Sequence, residues 1–225
     1  MPAQTWPAAT TQASVLASDW FVFAVAGLAV AVLVWGLILF AVARWRRRDS
    51  DAAPPQFRNN YPLEITWTLI PLALVCGLFV YTYGAEARVE ALSPHPDVTV
   101  TVTGYRWGWL FQYAGGPTIG GAAGAPVLGG ATEPPPQMVL PLGEITRIEI
   151  TSVDVNHAFW VPAFLFKRDA IPGQTTAFDL QPEKLGTYLG RCAEFCGLDH
   201  ALMTFTVRVV TPDEFQRWRR GATTP

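Results

Sequence analysis

Two strongly apolar stretches of this 225-residue chain run on without a charge: the 24 residues from Trp20 to Ala43 and the 21 from Ile65 to Ala85. At about 1.5 Å of helical rise per residue, each spans roughly 30 Å, the thickness of a bilayer's hydrocarbon core. A buried soluble helix of that length and uniformity would be unusual, so the pattern predicts a hairpin of two transmembrane helices. No Lys or Arg precedes Arg44, and the first run is too long for a signal peptide, so it reads as a retained anchor. Pro71 inside the second run is tolerable in a membrane, where neighbours re-satisfy the freed carbonyl. Cys76, mid-membrane with no second cysteine near it, reads as a small packing residue.

The basic residues orient this hairpin. Arg44, Arg46, Arg47, Arg48 and Arg58 all lie in the connector 44–62, whereas the first 19 residues hold none. The positive-inside rule puts the connector in the cytoplasm and both chain ends outside. The expected organisation is an outer segment 1–18, a hairpin 19–86, an extracytoplasmic domain 87–212 and a tail 213–225. The setting is the plasma (inner) membrane, with lipid around both helices. From Glu86 to Glu214 there are 14 acidic against 8 basic residues, a net of −6. This is either an ordinary solvated surface or one that steers in a basic protein partner; no nucleic-acid partner is expected.

After Pro94 and Pro96 the period changes to two. "DVTVTVTGYRWGWLFQY" reads as a strand with an aromatic end, and "TRIEITSVDVNHAF", "TTAFDLQ" and "TFTVRVV" alternate likewise. Helical periodicity returns only at "TPDEFQRWRR". Such strands predict an antiparallel sandwich or barrel. Residues 114–136, nearly all Gly, Ala and Pro, read as a long loop between two strands.

Within this β domain, "GRCAEFCGLDHALM" places Cys192, Cys196, His200 and Met203 at spacings of four, four and three. That spacing would also suit one helix face, but "GTYLGRC" enters as a strand and "TFTVRVV" leaves as one. The segment is therefore a loop between strands. A disulfide, a structural zinc pair and simple buried thiols all compete for the two cysteines. The thioether shifts the balance, because Cys, His and Met together suit copper. His157, in "DVNHAFWVP", supplies a second imidazole 35 residues before Cys192, whereas His95 reads as a loop residue. Two thiolates can bridge two coppers, each taking one His, with Met203 as a weak ligand to one. A backbone carbonyl, for which Glu194 is well placed, can serve the other. No open position for a substrate is evident, so such a site reads as an electron relay.

The loop matches C-x-E-x-C-G-x-x-H-x-x-M and, with two N-terminal membrane helices before an outer β domain, resembles subunit II of cytochrome c oxidases over residues 19 to 215. The resemblance implies an all-β, cupredoxin-like Greek-key domain on the outer face. It implies a dinuclear copper A centre held by His157, Cys192, the Glu194 carbonyl, Cys196, His200 and Met203. The Glu194 side chain would reach a magnesium ion shared with subunit I. Trp107, in "GYRWGWLFQY", would accept electrons from a c-type cytochrome; without the resemblance, Trp107, Trp109, Phe111 and Tyr113 read as packing on a strand. Glu64, in "LEITWTLIP", would lie near the entrance of a proton path, although a carboxylate at a helix N-terminus is also comfortable there without a function. Haem, oxygen reduction and proton pumping would belong to subunit I, and further oxidase subunits would complete the complex.

The Gly/Ala/Pro-rich insertion departs from the compact form of that domain. No C-x-x-C-H follows the copper loop, so the electron donor is expected to be another molecule or subunit. A copper A subunit of a nitric oxide reductase would carry the same motif, with Glu64 and Glu194 leaning towards the oxidase. A quinol oxidase subunit is expected to lack the copper ligands. A membrane-anchored copper carrier would be expected to bind at exposed Met- or His-rich sites, and a disulfide-bonded receptor domain would take up no copper.

Overall fold

The two uncharged runs lie inside helices longer than themselves: α1 covers Thr11–Arg44 and α2 covers Tyr61–Val89. The structure is a computed structural model that describes residues 8–46, 58–120 and 135–221. It divides into two compact units, one of residues 18–86 and one joining the N-terminal residues up to 17 with residues 87 onward. The first helix starts at Thr11, ahead of the expected boundary at 19, because Thr10 caps it: the Thr10 hydroxyl accepts a hydrogen bond from the Ala13 N–H at 3.1 Å. Arg47, Arg48 and the connector up to residue 57 lie outside the described residues.

Within the helical unit, large apolar side chains stand uncovered, among them Trp35 at 63% and Phe79 at 69% exposure. Helices apolar on all sides and not buried in protein suit lipid as their solvent. At the start of α2, Glu64 accepts the Asn60 N–H at 2.9 Å, closing the helix end. Thr66 and Thr68 hydroxyls donate to the carbonyls of Pro62 and Glu64 at 2.7 and 2.8 Å. These bonds occupy each hydroxyl inside an apolar helix.

The second unit is a β-sandwich. Its strands are β1 (Val98–Tyr105), β2 (Gly108–Tyr113), β3 (Thr118–Gly120), β4 (Gln137–Pro141), β5 (Thr146–Ser152), β6 (His157–Val161), β7 (Phe166–Ala170), β8 (Thr176–Leu180), β9 (Gly186–Cys192) and β10 (Thr204–Val210). One sheet runs β3-β2-β1-β5-β8 and the other β4-β10-β9-β6-β7. The stretch expected as one strand from Asp97 to Tyr113 is a tight hairpin, with Tyr105 paired to Gly108 across Arg106 and Trp107. The sandwich is also not purely antiparallel: β1 pairs parallel with β5, and β4 with β10. Alternation marks which face of a strand is buried, but it carries no information on the direction of its neighbour. Of the loop 114–136, residues 118–120 form β3, and 121–134 lie outside the described residues.

Between the sheets, the alternating face of β5 (Thr146, Ile148, Ile150, Ser152) turns inward. Phe159 of β6 stacks on Phe205 of β10 with centroids 4.6 Å apart, and the edge of Trp109 meets Phe205 at 5.4 Å. Gly190 makes this possible, since a Cβ there would collide with the Phe205 ring. A last helix, α3 (Pro212–Arg219), is capped by the Thr211 hydroxyl accepting the Glu214 N–H. It buries Phe215 and sets Trp218 against Tyr113 of β2, centroids 4.9 Å apart. The Tyr113 hydroxyl in turn donates to the Val139 carbonyl at 2.9 Å and accepts its N–H at 2.7 Å, tying β2 of one sheet to β4 of the other. The core thus braces the strand ends that carry the soft ligands.

Candidate metal centre

Cys192 is the last residue of β9, and His157 is the first of β6, its neighbour in the sheet. Pairing of Phe159 with Cys192, and the Ala193 N–H donating to the Ala158 carbonyl at 3.0 Å, fix these strand ends against each other. The loop then turns back to β10. Gly197 adopts φ +119°, a conformation that side chains disfavour, and the Met203 N–H returns to the His200 carbonyl at 3.3 Å. This tight path brings Cys196, His200 and Met203 round to face Cys192.

The donor atoms converge. Cys192 Sγ and Cys196 Sγ lie 3.8 Å apart, unbonded, so the sulfurs are thiols rather than a disulfide. His157 Nδ1 is 3.9 Å from Cys192 Sγ, and His200 Nδ1 is 3.5 Å from Cys196 Sγ. Met203 Sδ lies 3.8 Å from Cys196 Sγ, and the Glu194 carbonyl lies 3.2 Å from Cys192 Sγ. His157 and Met203 are fully buried, and both cysteines nearly so. All six residues named from the sequence as one ligand set therefore meet at one place.

Electrostatics prepare this cluster for a cation. Burial pushes the Cys192 thiol up, but hydrogen bonds from His157 and the backbone at Ala158 and Glu194 outweigh it and bring it down to about 6. Burial and the adjacent Cys192 charge push Cys196 up to about 12. The second thiolate is thus disfavoured until positive charge arrives between the sulfurs. Burial lowers the basicity of His157, yet Cys192 and Asp154 together raise it above the ordinary imidazole range.

Asp154 was not anticipated from the sequence. Its Oδ1 sits 2.9 Å from His157 Nε2, and its Oδ2 accepts the Arg106 N–H at 2.8 Å. A carboxylate on Nε2 fixes the tautomer that leaves Nδ1 free as a ligand. Burial raises the Asp154 carboxyl, but hydrogen bonds from His157, Val155 and Arg106 take it below the usual carboxylate range. The available signal was an acidic residue three positions before a candidate ligand histidine.

The remaining candidates fall in different places. The Trp107 indole donates from Nε1 to the Cys196 carbonyl at 3.2 Å, so this ring touches the loop directly. The half-exposed Glu194 carboxylate lies 3.9 Å from Lys167 Nζ. Glu64 belongs to the other unit, in the first turn of α2. Two thiols, two imidazoles and a buried thioether fit copper by donor type. Zinc would use Cys and His but leave the thioether idle.

Comparisons with known proteins point to one family. A family model described as the periplasmic domain of cytochrome c oxidase subunit II matches residues 131–210, and one for its transmembrane domain matches residues 7–83. The chain is 39% identical over 240 residues to a probable cytochrome c oxidase subunit 2 of Streptomyces avermitilis, covering 92% of this chain and 75% of that one. It is 38% identical over 249 residues to the corresponding protein of Streptomyces coelicolor, covering 96% and 76%. Among solved structures, the periplasmic domain of subunit II of cytochrome oxidase of Bradyrhizobium japonicum is similar at 35% identity. That match covers 58% of this chain and 96% of that one, with a TM-score of 0.49.

Proposed function

Because the chain belongs to the cytochrome c oxidase subunit II family, a membrane protein with a periplasmic domain in a haem–copper oxidase, we propose that it is the electron-entry subunit and holds a dinuclear copper A centre. The observation that carries this reading is the geometry of two thiols 3.8 Å apart, each beside a different imidazole Nδ1, with a buried thioether on one. Copper held by His157, Cys192, Cys196, His200 and Met203 would supply one-electron redox chemistry.

The protein's own residues give that site its properties. Asp154 holds His157 by Nε2, so Nδ1 stays aimed at the sulfurs. Met203, fully buried, keeps water off one side. Trp107 links the surface turn 106–107 to the Cys196 carbonyl, which supports electron entry there from a c-type cytochrome. The rigid strand ends under Cys192 and His157 limit rearrangement on a change of charge.

Further roles belong to the same proposal. The Glu194 carboxylate contributes to a magnesium ion shared with subunit I, the partner that carries haem and reduces oxygen while protons are pumped. Glu64 stands near the entrance to that partner's proton path. The chain sits in the plasma membrane with both ends and the copper domain on the outer side, as the arginines of the connector favour.

The test is to load the full chain, purified in detergent, with copper and measure metal stoichiometry and electron paramagnetic resonance. Two coppers per chain, with one unpaired electron split equally by both nuclei, is the expected result. A single copper with a blue-type spectrum, or zinc bound in preference, would defeat the reading.

A further inference from the structure

One short segment holds the chain on both sides of the membrane hairpin. Asp179, the penultimate residue of β8, is a buried carboxylate, 4% exposed, and takes the Ser93 N–H on Oδ2 at 2.6 Å. Ser93 lies just beyond α2. Arg147 of β5 completes this contact: Nε meets Asp179 Oδ1 at 2.8 Å, and Nη2 meets Oδ2 at 3.0 Å and the Ser93 carbonyl at 2.6 Å. A bidentate pair of this kind fixes geometry as well as attracting.

Two and four residues further on, the same segment holds the start of α1. The Thr11 N–H donates to the Gln181 carbonyl at 3.0 Å, and the Glu183 N–H donates to the Ala9 carbonyl at 2.8 Å. The Glu183 carboxylate accepts the Thr11 and Ser14 hydroxyls at 3.0 and 3.2 Å. Between them Thr10 bridges to Pro182, and Ala9, Thr10 and Ala13 are fully buried. All of these groups lie within the unit that contains the sandwich.

We infer that Asp179–Glu183 is a common mount for the roots of both membrane helices, and that Asp179, Arg147 and Glu183 are positioning residues for electron delivery out of this chain. The inference rests on the electron-relay reading for its consequence, though not for the mount itself. Electron transfer between fixed centres falls steeply with distance. A β domain loose on its helices would spend much of its time too far from the acceptor. Anchoring both roots to adjacent residues lets one stiff strand end set the position of the ligand-bearing sheets. None of the mount residues touches the donor cluster.

The experiment uses the assembled oxidase in detergent with two variants. Asp179→Asn weakens the buried pair, and the double change Thr11→Val with Ser14→Ala withdraws both hydroxyls from Glu183 without stranding a buried charge. Three quantities are read: hydrogen exchange of segments 8–17 and 90–97, the copper spectrum, and the rate of electron transfer from the copper site to haem after a single reduction. The expected outcome is exchange faster by about tenfold or more in both segments, in either variant, as local opening becomes easier. The copper spectrum should be unchanged and the transfer several-fold slower. Loosening confined to the mutated root would overturn the common mount. Loosening of both roots with an unchanged transfer rate would overturn the positioning role, as would a slower rate explained by an altered copper spectrum. Absence of the shared-electron signal in the unsubstituted oxidase would instead sink the relay reading, while hydrogen exchange would still decide the mount.

Discussion

Asp154 holds His157 by the nitrogen that faces away from the thiols: Oδ1 to Nε2 is 2.9 Å, while Nδ1 stands 3.9 Å from Cys192 Sγ. Without that carboxylate the buried ring loses its polar partner outside the donor cluster and is free to change tautomer. Asp154→Ala should weaken copper binding by roughly 10- to 100-fold, the usual effect of removing such a partner. Competition with a chelator of known affinity measures it. An unchanged affinity would mean that packing alone orients the imidazole.

Trp107 and Gly197 depend on each other. A Cβ at 197 would come 3.2 Å from Trp107 Cζ2, and φ +119° is strained for any side chain. Gly197→Ala should therefore destabilise the chain by about 1–3 kcal/mol and shift the indole off the Cys196 carbonyl. The fall in melting temperature gives the first effect. The Trp107 indole N–H resonance, assigned by its loss in Trp107→Phe, gives the second. Trp107→Phe itself should keep the copper content and slow electron uptake from a c-type cytochrome.

The convergence of Cys192, Cys196, His200 and Met203 was legible because they are rare residue types at fixed spacing between two alternating strands. Membrane spans were legible because lipid demands long uncharged runs. Asp154 was not, since a single carboxylate has many uses and its partner is identified only once β5 turns into β6. The hairpin at Arg106–Trp107 was hidden by aromatic residues that suit a strand on either side of the turn. The mount at Asp179–Glu183 was hidden for a different reason. Its contacts to the two helix roots join residues 86 and 172 positions apart, and polar residues such as Thr11 and Glu183 look like ordinary surface until the fold brings them together.

The two thiols should titrate far apart in the metal-free chain. Hydrogen bonds hold the Cys192 thiol down to about 6, while burial and the neighbouring thiolate push Cys196 well up, so thiolate absorbance should rise in two separate steps. Raising the pH through the first step supplies one ligand sulfur. Metal binding must then displace the proton of the second, releasing it to solvent. Copper uptake should weaken as pH falls below about 6, where both sulfurs are protonated. In Cys192→Ser the remaining thiol should ionise below 12, because the neighbouring negative charge has gone while burial remains. A single step shared by both sulfurs in the parent chain would contradict this.

Gly190 tests whether the core sets the position of the donor cluster. A Cβ on this β9 residue would run into the ring of Phe205, which is fully buried between Trp109 and Phe159 and cannot swing aside. Gly190→Ala should destabilise the chain by about 1–3 kcal/mol through overpacking. The strand can relieve the clash only by moving away from β10, and Cys192 lies two residues further along it. Copper content should therefore fall with stability. Phe205→Leu alone also destabilises, by opening space in the core. Combined with Gly190→Ala, however, it gives the new methyl somewhere to go. The double variant should be more stable than the sum of the single effects, a favourable coupling of about 0.5 kcal/mol or more, as expected for residues in contact. Additive effects on stability, with copper content restored in neither case, would mean that β9 yields elsewhere and that Cys192 is held by its own loop.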